Sequence, residues 1–120
     1  MPRVEKQPKI SEHSLQVQCV QWFRFAFPNK LIFAVPNGGA RNIVVATKLR
    51  AEGVLKGVPD LFIPEPNLNY HGLFIELKVG YNKPTEYQKE LMQKLIFRKY
   101  ACAVCYTFEE FEKIVKDYFI

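Results

Sequence analysis

Residues 72–79 read Gly-Leu-Phe-Ile-Glu-Leu-Lys-Val, an apolar run with two charges set into it. A strand's period of two sends Glu76 and Lys78 to one face and Ile75 and Leu77 to the other. The apolar face demands a core, so the segment belongs in a sheet. The charged face puts a carboxylate beside an ammonium. Taken alone, such a pair reads as a salt bridge on a solvated surface, which contributes about 0–1 kcal/mol.

Gly57-Val58-Pro59-Asp60 changes that reading, because it leads into Leu61, Phe62 and Ile63, a uniformly apolar run. A carboxylate at the head of a buried strand needs a partner or an ion, since isolated buried charge is costly. Asp60 could also cap a turn after Pro59. The segment between Asp60 and Glu76 is long enough for two paired strands and a loop, which would bring the two carboxylates to one edge. Two such oxygens suit Mg²⁺, which takes a few carboxylates and keeps waters free for a phosphate.

The rest of the chain supplies the frame. Ser11 is an N-cap for a helix to about residue 27, with Leu15, Cys19, Trp22, Phe23 and Ala26 as its buried stripe and Pro28-Asn29 as its stop. Residues 31–35 read as a strand closed by Pro36-Asn37-Gly38-Gly39. Residues 40–52 read as a helix with Gly53 as its C-terminal signal. Strands follow at 58–63 and 72–79, joined through the Pro- and Asn-containing residues 64–71. Thr85 and Gln88 form a capping box for a helix to about residue 99. Residues 101–106 read as a strand, and Thr107-Phe108-Glu109-Glu110 as a second capping box opening the last helix. The order α-β-α-β-β-α-β-α, with no internal repeat, predicts one α/β domain over residues 11–120, a mixed sheet flanked by helices, preceded by a flexible basic arm at 1–10. With 120 residues, 48% of them hydrophobic, the chain can bury one core without a staple.

The net charge is +5, and all of the excess lies in the first half: nine Lys and Arg against four Asp and Glu in residues 1–60, eight against eight in 61–120. Arg3, Lys6 and Lys9 belong to the arm. Arg41, Lys48 and Lys56, ahead of Asp60, are the candidate phosphate contacts. Arg41 and Lys48 share a helix side with Glu52, so that face is mixed. Three cysteines, an odd number, and no apolar signal region predict a reducing, cytoplasmic location. Cys102 and Cys105 lie three apart in a strand, hence on opposite faces, and read as core thiols and not as a zinc pair. No apolar stretch approaches the roughly 20 residues that span a bilayer, and no membrane partner is expected.

Two more polar residues fall near the acids. Glu12 lies on the helical face of Leu15, Gln16 and Cys19, although a carboxylate there also simply complements the helix dipole. Gln88 lies on the inward edge marked by Leu91, Met92 and Leu95, although capping alone accounts for it.

Together, Glu12 in the first helix, Gly57-Val58-Pro59-Asp60-Leu61, Ile75-Glu76-Leu77-Lys78 and Gln88 resemble the PD-(D/E)xK nuclease superfamily, and within it the VRR-NUC domain of phage and bacterial proteins. The resemblance spans roughly residues 10–107, and the Asn37-Gly38-Gly39 turn fits it. It implies a restriction-endonuclease-like fold and Mg²⁺-dependent hydrolysis of DNA phosphodiesters, with Mn²⁺ able to substitute. By that resemblance Asp60, Glu76 and the Leu77 backbone carbonyl would bind metal. Lys78 would orient or help deprotonate the attacking water, Glu12 would hold a second ion or one of its waters, and Gln88 would support Lys78 or the water. Stand-alone members are similar to Holliday-junction resolvases, which implies a homodimer acting on branched DNA such as four-way junctions. A flap or restriction-type nuclease of the same fold and a non-catalytic nucleic-acid-binding module are the alternatives; three convergent carboxylates argue against a pure binder, because they repel phosphate unless a cation intervenes.

Overall fold

The computed structural model describes residues 10–36 and 42–120. Eight elements follow in the expected order: α1 (Glu12–Ala26), β1 (Phe33–Ala34), α2 (Ile43–Ala51), β2 (Leu61–Ile63), β3 (Leu73–Leu77), α3 (Glu86–Phe97), β4 (Ala101–Cys105) and α4 (Phe108–Tyr118). The basic arm, the Asn37-Gly38-Gly39 turn and Arg41 lie outside the described residues, apart from Ile10 at the end of the arm.

The sheet runs β1-β2-β3-β4. β1 pairs antiparallel with β2, and β2 antiparallel with β3. β3 and β4 pair in parallel, joined by α3, as a parallel pair requires. Alternation holds throughout the centre. Leu61, Ile63, Leu73, Ile75 and Leu77 are buried and pack with Leu15, Cys19 and Phe23 of α1 and Phe111, Val115 and Tyr118 of α4. Phe62 and Phe74 occupy the other face, their rings stacked at 4.2 Å. Cys105 joins the α1 side of the core near Cys19, whereas Cys102 lies under α3 with its Sγ 3.7 Å from the Met92 carbonyl oxygen. The opposite-face reading of the two thiols holds.

The strands are shorter than expected. β2 begins at Leu61 and not at residue 58 because Pro59 brings no N–H to the ladder, and pairing toward β1 extends only through the Val35 N–H donated to the Asp60 carbonyl at 2.8 Å. In α1 the stripe is Leu15, Cys19 and Phe23; Ala26 is exposed. Trp22 is half-buried, edge-on to Phe27, Phe108 and Phe111 at 5.8–6.0 Å, a packing role. The α3 capping box is reciprocal: Gln88 N–H donates to Thr85 Oγ1 and Thr85 N–H to Gln88 Oε1. At α4 only half the expected box forms. Thr107 Oγ1 accepts from Glu110 N–H, but the Glu110 carboxylate accepts from Tyr106 N–H, one residue before the cap. The connection after β2 is tied down by Asn67, whose Oδ1 accepts from the Asn69 and Tyr70 N–H groups while its amide donates to the Tyr118 carbonyl.

Candidate active site

The β2–β3 register places Leu61 opposite Ile75 and Phe62 opposite Phe74. Continued by one residue, it sets Asp60 directly across from Glu76. Two ionised carboxylates in that relation would repel, and Glu76 is nearly dry, 3% exposed, beside a half-buried Asp60. Asp60 Oδ2 accepts the Leu77 N–H at 2.7 Å, which pins its carboxylate to the end of β3. The two carboxyl groups lie close enough to share a proton. Glu76 Oε2 is buried with no hydrogen-bond donor. Burial, and then the adjacent Asp60, push the Glu76 carboxyl well above the ordinary carboxylate range; Lys78 pulls it down and Glu12 adds a further upward push. Two acceptors facing each other with an orphaned oxygen want a proton or a cation.

Lys78 follows β3 half-buried, its N–H donated to the Cys105 carbonyl at 3.0 Å, and its ammonium acts on Glu76 as the period-two reading requires. Glu12, the first residue of α1, is exposed. It shares with Asp60 an open cleft of about 820 Å³ running along α1. Among the described residues no group of three His, Cys, Asp or Glu side chains is close enough to form a metal-ligand cluster, so Glu12 stands near the acidic pair and not within it. Gln88 is half-buried with its Oε1 committed to Thr85, which leaves its amide N–H₂ as the free end.

Gly57 holds this arrangement together in a way its place in the motif did not reveal. It has φ +93°, and a Cβ there would stand 2.8 Å from the Tyr87 carbonyl oxygen and 3.1 Å from the Gln88 nitrogen. The segment leading to Asp60 is thus laid directly on the first turn of α3. Lys56, one residue earlier, sits with its ammonium 4.3 Å from the centre of the Tyr87 ring, an intramolecular cation–π contact. Lys48 is exposed in the last turn of α2, away from the acids in sequence and without a bond to them.

A solved structure described as a VRR_NUC domain protein superposes on the chain with a TM-score of 0.76 and 26% sequence identity, covering 92% of this chain and 89% of that one. The chain shares the fold of that VRR_NUC domain protein. No family model matches the sequence, and no curated protein matches it. The VRR-NUC fold accounts for the order of elements and the mixed sheet. In the frame of that VRR-NUC fold, Asp60, Glu76 and Lys78 converge at the β2–β3 edge. Among the described residues, no helix is long and apolar enough to cross a membrane.

Proposed function

We propose that the chain is a Mg²⁺- or Mn²⁺-dependent endonuclease that hydrolyses phosphodiesters of branched DNA, four-way junctions in particular. The observation that supports it most is the apposition of Asp60 and Glu76, a half-buried and a buried carboxylate brought face to face by continuing the β2–β3 register one residue, with Glu76 Oε2 unsatisfied. A hard divalent cation fits this donor set. Asp60, Glu76 and the Leu77 carbonyl would hold it, and when bound it supplies Lewis-acid polarisation of the phosphate and a more acidic water. Lys78 orients the attacking water, takes part in its deprotonation and offsets the charge that develops on the phosphorus oxygens. Gln88, its carbonyl oxygen tied to the helix cap, has N–H groups to steady Lys78 or the water. Glu12 borders the same cleft and would hold a second ion or one of its waters. Lys48, Lys56 and Arg41 are proposed to add sequence-independent phosphate affinity. Two matched sites suit a two-fold junction, so we propose a homodimer working in the reducing cytoplasm.

The test incubates the protein with labelled four-way junctions, flaps, linear duplex and single strands, in Mg²⁺, Mn²⁺ or chelator, beside Asp60→Ala and Lys78→Ala. Each substitution is expected to reduce cleavage by about 100-fold or more, with junction binding retained by Asp60→Ala. Cutting in chelator, or full activity in both variants, would overturn the mechanism. Preferential cutting of flaps or linear duplex would replace the junction assignment and leave the chemistry standing.

A further inference from the structure

The cleft that begins at Asp60 does not end there. One wall is a face of α1 from Glu12 to Arg24, and the other is formed by Asp60 and by Ala34 of the edge strand β1. The twelve 1.5 Å rises from Glu12 to Arg24 make that wall about 18 Å long, the rise of about five base-pair steps measured along a duplex axis. Its charge is divided by position. The two carboxylates, Glu12 and Asp60, sit at one end, where the cation is proposed. Arg24 sits at the other. Between them the lining is uncharged or histidine: His13, Gln16 and Gln21 offer hydrogen-bonding groups, and Val17 and Val20 an apolar floor.

Arg24 is exposed and spends one guanidinium N–H on the Ile32 carbonyl at 3.3 Å. Among the described residues it has no carboxylate partner. A guanidinium carries five donors, so one anchoring bond fixes its position and leaves the rest for an anion. In the sequence Arg24 is inconspicuous, because a basic residue in the last turn of a helix suits the dipole.

We propose that the cleft along α1 seats the DNA strand on one side of the scissile phosphate, with Arg24 as the distal phosphate anchor and Gln16 at mid-cleft. This rests on the nuclease reading above and adds the direction in which the substrate leaves the acidic pair. The Arg24 contact to a phosphate adds affinity that is independent of sequence.

The experiment measures duplex and four-way-junction binding by fluorescence anisotropy as a function of salt, under chelator and again with Ca²⁺, and measures cleavage separately in Mg²⁺. Arg24→Ala is expected to make the slope of log affinity against log salt shallower by about 0.9, about fivefold weaker binding at 0.15 M salt. Arg24→Lys, which keeps the charge, should recover the slope. Gln16→Glu, which places a like charge beside the strand with Arg24 intact, should weaken binding by a similar factor. Lys116→Ala, removing a charge already paired with Glu112 on α4, should leave the slope unchanged. Circular dichroism checks the fold of each, and Gln16→Glu decides if Arg24→Ala does not fold. If wild type binds and cuts DNA while Arg24→Ala and Gln16→Glu keep the wild-type slope and affinity, the cleft assignment falls and the nuclease reading stands. If wild type binds no DNA, both fall; if it binds but does not cut, the slopes still decide the cleft.

Discussion

Glu76 is the residue on which the site's electrostatics turn. Its carboxyl rises from an ordinary 4.5 to about 9, because burial and then Asp60 oppose its ionisation. The folded chain therefore holds a proton there that the unfolded chain releases. The stability this contributes is complete below about pH 4.5 and is lost as pH climbs through about 9. In chelator the Tm of the wild type should fall between pH 5 and 9 more steeply than that of Glu76→Gln, a permanently neutral mimic. Added Mg²⁺ should recover the wild type at pH 8 and not the variant. Parallel curves for the two proteins would show that Glu76 is ionised in the metal-free state. Strand alternation made Glu76 and Lys78 legible as neighbours. The Asp60–Glu76 pairing was legible only as a possibility, because residues 64–72 form no tight turn whose geometry dictates register.

At the scale of elements, the joint between β2 and α3 matters most. Gly53 and Gly57 both hold positive φ, at +104° and +93°, but a Cβ at Gly53 meets nothing within 4 Å while one at Gly57 meets the Tyr87 and Gln88 backbone. Ala at either position strains φ by about 1–3 kcal/mol. Only Gly57→Ala must also push α3 away from the loop. Gly57→Ala should therefore lower Tm by several degrees more than Gly53→Ala and reduce cleavage, and equal losses would count against the joint. Elements were legible where hydrophobic spacing is strong, as in α1, α3 and β3. Spacing said less about α2, which buries no residue and leaves Ile43 and Val44 82% and 76% exposed. Its Gly53 end is readable, whereas the Asn42 cap was not picked out and what the helix packs against is not encoded in its own period. The cleft along α1 was illegible for a related reason: one wall belongs to a two-residue strand whose position depends on the whole sheet.

For the whole molecule, the uncovered start of α2 bears on the number of copies at work. A helix of nine residues is too short to be stable on its own, and the apolar side chains at its start are uncovered. Covering them by a second copy would provide the matched sites a junction needs. Light scattering across micromolar concentrations should give twice the 14.0 kDa chain mass, and Ile43→Asp with Val44→Asp should bring it to the single value. A monomer mass throughout would remove the dimer and leave the site within one chain.

Glu76 lies in β3 and Asp60 immediately precedes β2, its antiparallel neighbour, and that placement carries a kinetic consequence. Their repulsion arises as soon as β2 meets β3, before α4 or the parallel β4 needs to arrive. Any ion that relieves it should act on the barrier to assembly and not only on the finished protein. In stopped-flow refolding at pH 8, Mg²⁺ should speed the folding limb of the chevron. A change confined to the unfolding limb would mean that the hairpin closes last.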